Sequence, residues 1–458
     1  MGRIGMAHIG LLLVLLTACQ NSAQDDVPVS GSGSPHYLAT QYWTWYTAGS
    51  GAPMWAGVDA YGTPSELWYD SNDPVVAARH SSAMTSSGIN ALSVGYFAKA
   101  GDGTCWNADI IDPDQAFRNG IMKASNFSTI KFFVSYDLAT RAMLVHRAEN
   151  GLQWGFPAGK DVLPNVAFFD PVVDASQDKS GFPSFDFNLK DTNGKYIYDE
   201  LMLYDFKNFA ENYFNKPNYL KINGQAVVFL YNSWRFNNGG TGGPADGFAR
   251  AFKKIRESMY VSYGQKIYLA GDFVSWYNRD KAEWYRTMGY FQHYDAVHGW
   301  NVYDDTYRSA FGDWTSLSDY TDRSESTQDA FRIQAALGTR NYRIWLSEPT
   351  KSAYGTPGVA IDYLPLLAFS FRRHDGSSGF KSSSSGTEEV IKELEMVKRQ
   401  RSLSPLAENE GTLTYHISFN QWNEGQIIEP ASADAASPYP GKYGWTYLNK
   451  IEEILGEW

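Results

Sequence analysis

The stretch TLTYHISFNQWNEGQIIEP, Thr412–Pro430, decides how the rest of the chain is read. It begins as an apolar and aromatic run, Thr412 to Phe419, and then turns abruptly polar. Asn420, Gln421, Asn423, Glu424, Gln426 and Glu429 fall within ten residues, with Trp422 among them. A near-continuous apolar run is the mark of a parallel strand covered on both faces. A polar cluster directly after such a run is what a barrel strand carries where it empties into the mouth of the barrel. Gln421 and Glu424 are three positions apart, so in a continuing strand they would face opposite ways. They converge only if the chain turns after Asn420. Glu424 would then sit beside Trp422, partly desolvated, with its carboxyl raised toward the range of a general acid near neutral pH.

The same pattern recurs upstream. Strands are expected at Tyr37–Trp45, Ala91–Phe97, Ile130–Tyr136, Ala226–Tyr231, Lys266–Asp272, Ala296–Trp300, Arg343–Leu346 and Thr412–Phe419. Helical segments lie between them. Asp73-Pro74 and Asp112-Pro113 each place an N-cap carboxylate before a first-turn proline. Leu201, Tyr204, Phe206, Phe209 and Phe214 form a helical stripe, and Thr387 precedes a helix with acids early and bases late. Eight strands interleaved with helices predict an α/β fold, a (β/α)8 TIM barrel. Such a barrel needs roughly 250 residues. The excess is assigned to long loop insertions at 142–199, 233–243, 301–324 and 372–387, within a single domain spanning residues 37–458.

Net charge −11 and a pI near 5.3 argue against a nucleic-acid partner. Arg3, the apolar run Ile9–Leu16 and then Leu16-Thr17-Ala18-Cys19 read as a signal peptide over residues 1–18, too short to span a bilayer. LTAC resembles the bacterial lipoprotein box, which implies lipidation at Cys19. The protein is then expected to meet the membrane only through that anchor, at the outer membrane and facing the cell surface or periplasm. Residues 19–36 read as a flexible tether. One further cysteine, Cys105, allows neither an internal disulfide nor a Cys-rich metal site, and no cofactor or metal is expected.

SFNQWNEGQIIEPA (Ser418–Ala431) resembles the SFNEWHEGTQIEPA-type signature of family 99 glycoside hydrolases and the related WbsX-like proteins. QYWTWY (Gln41–Tyr46), YDSNDPVVAARHSSAMTSSGINAL (Tyr69–Leu92) and YFNKPNYLKINGQAVVFLYN (Tyr213–Asn232) are similar to further blocks of that family, in the same order. The resemblance implies a metal-free barrel acting on α-linked glycans, with an oligo- or polysaccharide as its partner. It also implies two carboxylates within the signature. The later one, the acid/base, maps onto Glu424. The earlier one takes the proton of the sugar's own 2-OH, and its position here is Gln421. An amide cannot accept that proton at neutral pH, and Asn423 stands where the family often has His.

Three readings stay open. The first is a glycoside hydrolase that recruits another carboxylate from a strand end: Asp272, Glu348, Asp137, Asp304 or Asp305. The second is a non-catalytic glycan-binding pseudoenzyme. The third is a barrel enzyme of another kind that shares only the strand-end chemistry. Catalytic candidates are therefore Glu424, Gln421, Asp272 and Glu348. Aromatic residues make up 16% of the chain and recur at strand ends, where rings stack on sugar C–H faces. The substrate-binding set is Trp45, Tyr46, Tyr231, Asn232, His298, Trp300, Asn420, Trp422 and Asn423.

Overall fold

The computed structural model describes residues 35–49, 68–99, 112–150, 186–231, 233, 244–274, 280–300, 317–340, 360–372, 379–381, 387–403, 412–416, 418–421, 426–430 and 445–456. The expected signal peptide, Cys19 and the tether through residue 34 lie outside these residues, as do Asn232, Asp304, Asp305, Glu348, Trp422, Asn423 and Glu424; the tether's last residue, His36, instead opens the first strand. Residues 34–458 form one compact unit.

Parallel strands follow one another around a ring. His36–Tyr42 pairs with Ala91–Phe97, then come Lys131–Asp137, Gln225–Tyr231, Lys266–Val274 and Ala296–Trp300. Ala296–Trp300 pairs onward with Asp362–Leu364, while Leu366–Leu367 pairs with Thr412–His416, which returns to the first strand. Only Pro365 separates the last two pieces, and its carbonyl accepts the Tyr415 N–H at 3.0 Å. The ring is therefore an eight-position parallel barrel, as the alternating pattern predicts. Its seventh position is not the expected Arg343–Leu346, which lies outside the described residues. Residues 362–367 occupy it instead. Proline brings no N–H to the ladder and splits this strand in two, so the run reads as a loop.

The expected helix starts are realised in their capping bonds. Asp73 accepts from the Val75 N–H at 2.8 Å and Asp112 from the Asp114 N–H at 3.1 Å, each opening a helix with proline at its first turn. Two expected loops are partly helical: Leu138–Asn150 begins directly after the third strand, and Leu317–Leu337 begins inside 301–324.

The inside of the barrel is mixed in polarity. Phe229 of the fourth strand stacks on Tyr415 of the eighth across the ring, with centroids 4.7 Å apart and planes at 10°. The Tyr415 hydroxyl donates to Gln41 Oε1 and lies 3.1 Å from Ser93 Oγ. At the strand starts Asp295 accepts the Leu269 N–H at 2.8 Å and an Arg256 N–H at 2.9 Å, with Arg340 3.6 Å away. This end of a barrel carries stability, and the strand C-termini carry sites.

The helix Thr387–Ser402 buries Glu393 against the barrel wall. Thr321 Oγ1 donates to it at 2.7 Å and the Ala368 N–H at 3.4 Å. Burial outweighs these bonds and pushes its carboxyl up to about 8 from an ordinary 4.5. The folded state thus holds a proton that the unfolded state releases. Stability from this group is complete below pH 4.5, falls by about 1.4 kcal/mol per pH unit toward pH 8, and is flat above. Glu393→Gln keeps shape and removes the titration. Its melting temperature, followed by circular dichroism from pH 5 to 9, should gain on the parent as pH rises to about 8 and hold its lead beyond that. A constant difference across that range contradicts the assignment.

Candidate active site at the end of the eighth strand

Past His416 the chain reaches the polar cluster Asn420–Glu429. Residues Asn420–Gln421 and Gln426–Ile427 pair antiparallel, Asn420 opposite Ile427 and Gln421 opposite Gln426. The chain therefore turns between Gln421 and Gln426, one residue later than the sequence reading places it. Backbone bonds fix the base of this hairpin. The Phe419 N–H donates to Gln41 O at 2.7 Å, and Phe419 O accepts from Ile428 at 3.0 Å and Glu429 at 2.9 Å.

The end of the first strand supplies the neighbouring wall. Trp43 and Trp45 stack with centroids 4.0 Å apart and planes at 8°. Gly95 on the second strand makes room for them: a Cβ there would lie 3.0 Å from the Trp43 ring. The Trp43 indole N–H donates to Gln421 Oε1 at 3.2 Å. The side chain at the position that the resemblance gives to a base is thus an amide held by an indole donor. An amide has N–H donors and a weakly basic oxygen, so it orients and binds but takes no proton.

Asn420 joins the same wall by three bonds. Its Oδ1 accepts from Trp43 N at 2.8 Å, and its Nδ2 donates to Trp43 O at 2.9 Å and to the Tyr69 hydroxyl at 3.0 Å. Both amide protons are spent, so Asn420 clamps the wall, where contact with a sugar was expected. Tyr46, also expected to touch substrate, is fully enclosed and donates to Asn420 O at 2.6 Å. Behind them, Tyr69 donates to Glu429 Oε2 at 3.1 Å. His80 Nε2 stands 3.2 Å from Glu429 Oε1, outside straight hydrogen-bond geometry, and His80 Nδ1 lies 2.8 Å from the Tyr42 hydroxyl. Burial first, and then the Glu429 charge, hold the Tyr42 and Tyr69 hydroxyls well above the ordinary phenol range, so both remain donors.

Other expected residues fall elsewhere. His298 and Asp272 stand in register on adjacent strands, and neither has exposed surface. His298 Nδ1 is 2.8 Å from Leu364 O. A carbonyl only accepts, so that nitrogen carries the proton. Burial lowers the ring to about 4, and it is neutral at neutral pH. His298 is therefore packed within the barrel, against Phe229 and Tyr415. Asp137 ends the third strand, where its Oδ1 caps the next helix through the Ala139 N–H at 2.9 Å. Tyr231 closes the fourth strand half-buried, Trp300 ends the sixth, and Trp45 is 8% exposed beside Trp43. Sequence reasoning missed Tyr69 and His80, and placed Glu429 in the cluster without a role.

No protein-family model and no curated protein sequence matches the chain. Solved structures do. A glycoside hydrolase-like protein superposes with a TM-score of 0.55 over 94% of this chain and 97% of its own, at 16% identity. The GH99 endo-alpha-mannosidase from Bacteroides thetaiotaomicron covers 93% of this chain and 98% of its own at 12% identity, with a TM-score of 0.48. The first likeness shows that the fold is shared along nearly the whole of both chains.

Proposed function

We propose that the chain is a glycoside hydrolase-like lipoprotein acting on an α-linked oligo- or polysaccharide, with Glu424 as general acid and Gln421 in the place of the base. The observation that carries this reading is the hairpin at the C-terminal end of the eighth strand, where Gln421 is held against the Trp43–Trp45 wall. That is the face on which barrels build their sites. The signature resemblance and the full-length fold likeness point the same way. The test is a panel of α-mannans and α-glucans incubated with the protein, with products separated by size and anomeric form. Cleavage of any α-linkage supports the reading, and inertness toward all of them counts against it. Inversion would require a second carboxylate about 6.5–9.5 Å from Glu424, and retention one at about 5–5.5 Å. Asp272 and Glu348 are the candidates. Asp272 is enclosed, and needs an opening of the barrel mouth to serve.

Gln421 also favours the second reading, a cell-surface protein that binds glycan without cleaving it. Gln421→Glu separates the two. It returns a carboxylate to the indole donor of Trp43, and general-base assistance is typically worth 10²–10⁴-fold. We expect at least about a tenfold gain in cleavage of an α-mannoside, with an anhydro sugar trapped in single-turnover experiments. No gain, alongside unchanged glycan affinity, favours the binding protein. Anchoring at Cys19 is tested by Cys19→Ser, which should move the protein from the membrane fraction to the soluble one.

A further inference from the structure

Building on the glycan-site reading, we infer that Tyr69 and Glu429 are positioning residues: the Tyr69 hydroxyl, held by Glu429, latches the two arms of the site hairpin together and sets Gln421 against Trp43. One oxygen does both jobs. It accepts from Asn420 Nδ2 at 3.0 Å, on the arm before the turn, and donates to Glu429 Oε2 at 3.1 Å, just after the arm that follows it. Asn420 then spends its remaining capacity on both backbone groups of Trp43, whose indole holds Gln421. Asn420 N–H meets the Tyr69 hydroxyl, whose own O–H meets Glu429, so these donors run toward the carboxylate; His80 Nε2 stands 3.2 Å from its other oxygen, and His80 Nδ1 lies 2.8 Å from the Tyr42 hydroxyl.

The backbone bonds of Phe419 with Gln41, Ile428 and Glu429 fix only the base of the hairpin, so the latch acts on the arms beyond that base. The Tyr69 ring also packs without its hydroxyl, edge-on to Tyr46 at 5.5 Å and to His80 at 4.9 Å. A fully enclosed carboxylate is costly to desolvate, and an apolar side chain is often as stable in such a place. What the carboxylate adds here is a fixed orientation for the amides at the strand end. Catalysis feels such orientation strongly, because misplacement by about 1 Å can cost 10²-fold.

The test uses the full chain, Tyr69→Phe and Glu429→Gln. Hydrogen–deuterium exchange of peptides covering 418–430 should quicken by about tenfold or more in both variants, with the helix Thr387–Ser402 unchanged. On whichever α-mannan or α-glucan the parent cleaves, kcat should fall at least tenfold while KM stays within about threefold. Unchanged exchange at 418–430 overturns the inference whatever the activity. Faster exchange everywhere overturns it too, since that marks general destabilisation. Local quickening in a protein that cleaves no glycan upholds the latch and defeats the hydrolase reading.

Discussion

Glu424→Gln should lower turnover of a cleaved α-linked glycan by about 10²–10⁴-fold while leaving its affinity within a few-fold, the effect expected on losing a general acid. The leaving oxygen of an unactivated glycoside departs as an alcohol, so it needs a proton as the bond to C1 breaks. Glutamine keeps the shape and the hydrogen-bonding reach of the acid but has no proton of the right acidity to give. A glycoside with a good leaving group, such as a dinitrophenyl glycoside, needs little protonation. On that substrate the variant should lose much less, and the contrast separates an acid from a residue that merely binds. Measuring kcat and KM on both substrates, with glycan affinity by calorimetry, checks all three expectations. Full activity on the unactivated glycan removes Glu424 from the role, and loss of affinity together with rate makes it a binding residue.

The legible parts of the sequence were those whose partners lie close along the chain or whose burial is uniform. Seven barrel strands show themselves as apolar runs because both of their faces are covered. The seventh in order is hidden by Pro365, which halves it into pieces too short to carry a pattern. The helix Leu138–Asn150 reads as loop because Arg141 breaks its apolar stripe, although Arg141 is buried. At the site, the strand-end turn and the amide cluster were visible in one stretch of residues. The roles within it were not. Asn420 reads as a sugar ligand, yet its amide is spent on Trp43, 377 positions away, and Glu429 draws its role from Tyr69, 360 positions away. Hydrogen-bond saturation is a tertiary property, and periodicity carries no trace of it.

Arg141→Met should cost the protein roughly 3–5 kcal/mol, the penalty for removing one partner of a buried ion pair. Neither Arg141 nor Asp205 has exposed side-chain surface. Arg141 grips the carboxylate with two nitrogens: Nη2 lies 2.6 Å from Oδ1, and Nε 3.0 Å from Oδ2. Its Nη1 donates to Lys99 O at 3.1 Å. The hydroxyls of Tyr96, at 3.3 Å, and of Tyr136 also donate to Asp205. Burial alone would weaken the guanidinium's hold on its proton, but the Asp205 charge more than reverses this and the group stays above its ordinary range. The cluster ties the helices Leu138–Asn150 and Ile197–Phe209 to the ends of the second and third strands. Methionine fills similar space but leaves Asp205 enclosed with the Tyr96 and Tyr136 hydroxyls in place of the guanidinium. Asp205→Leu should be similarly costly alone, because it strands the guanidinium. Arg141→Met with Asp205→Leu should recover much of the loss, since an apolar pair has no charge to desolvate. Urea unfolding of the four proteins gives the coupling directly. A loss below about 1 kcal/mol for Arg141→Met, or simple additivity in the double variant, shows that the pair does not hold these strand ends together.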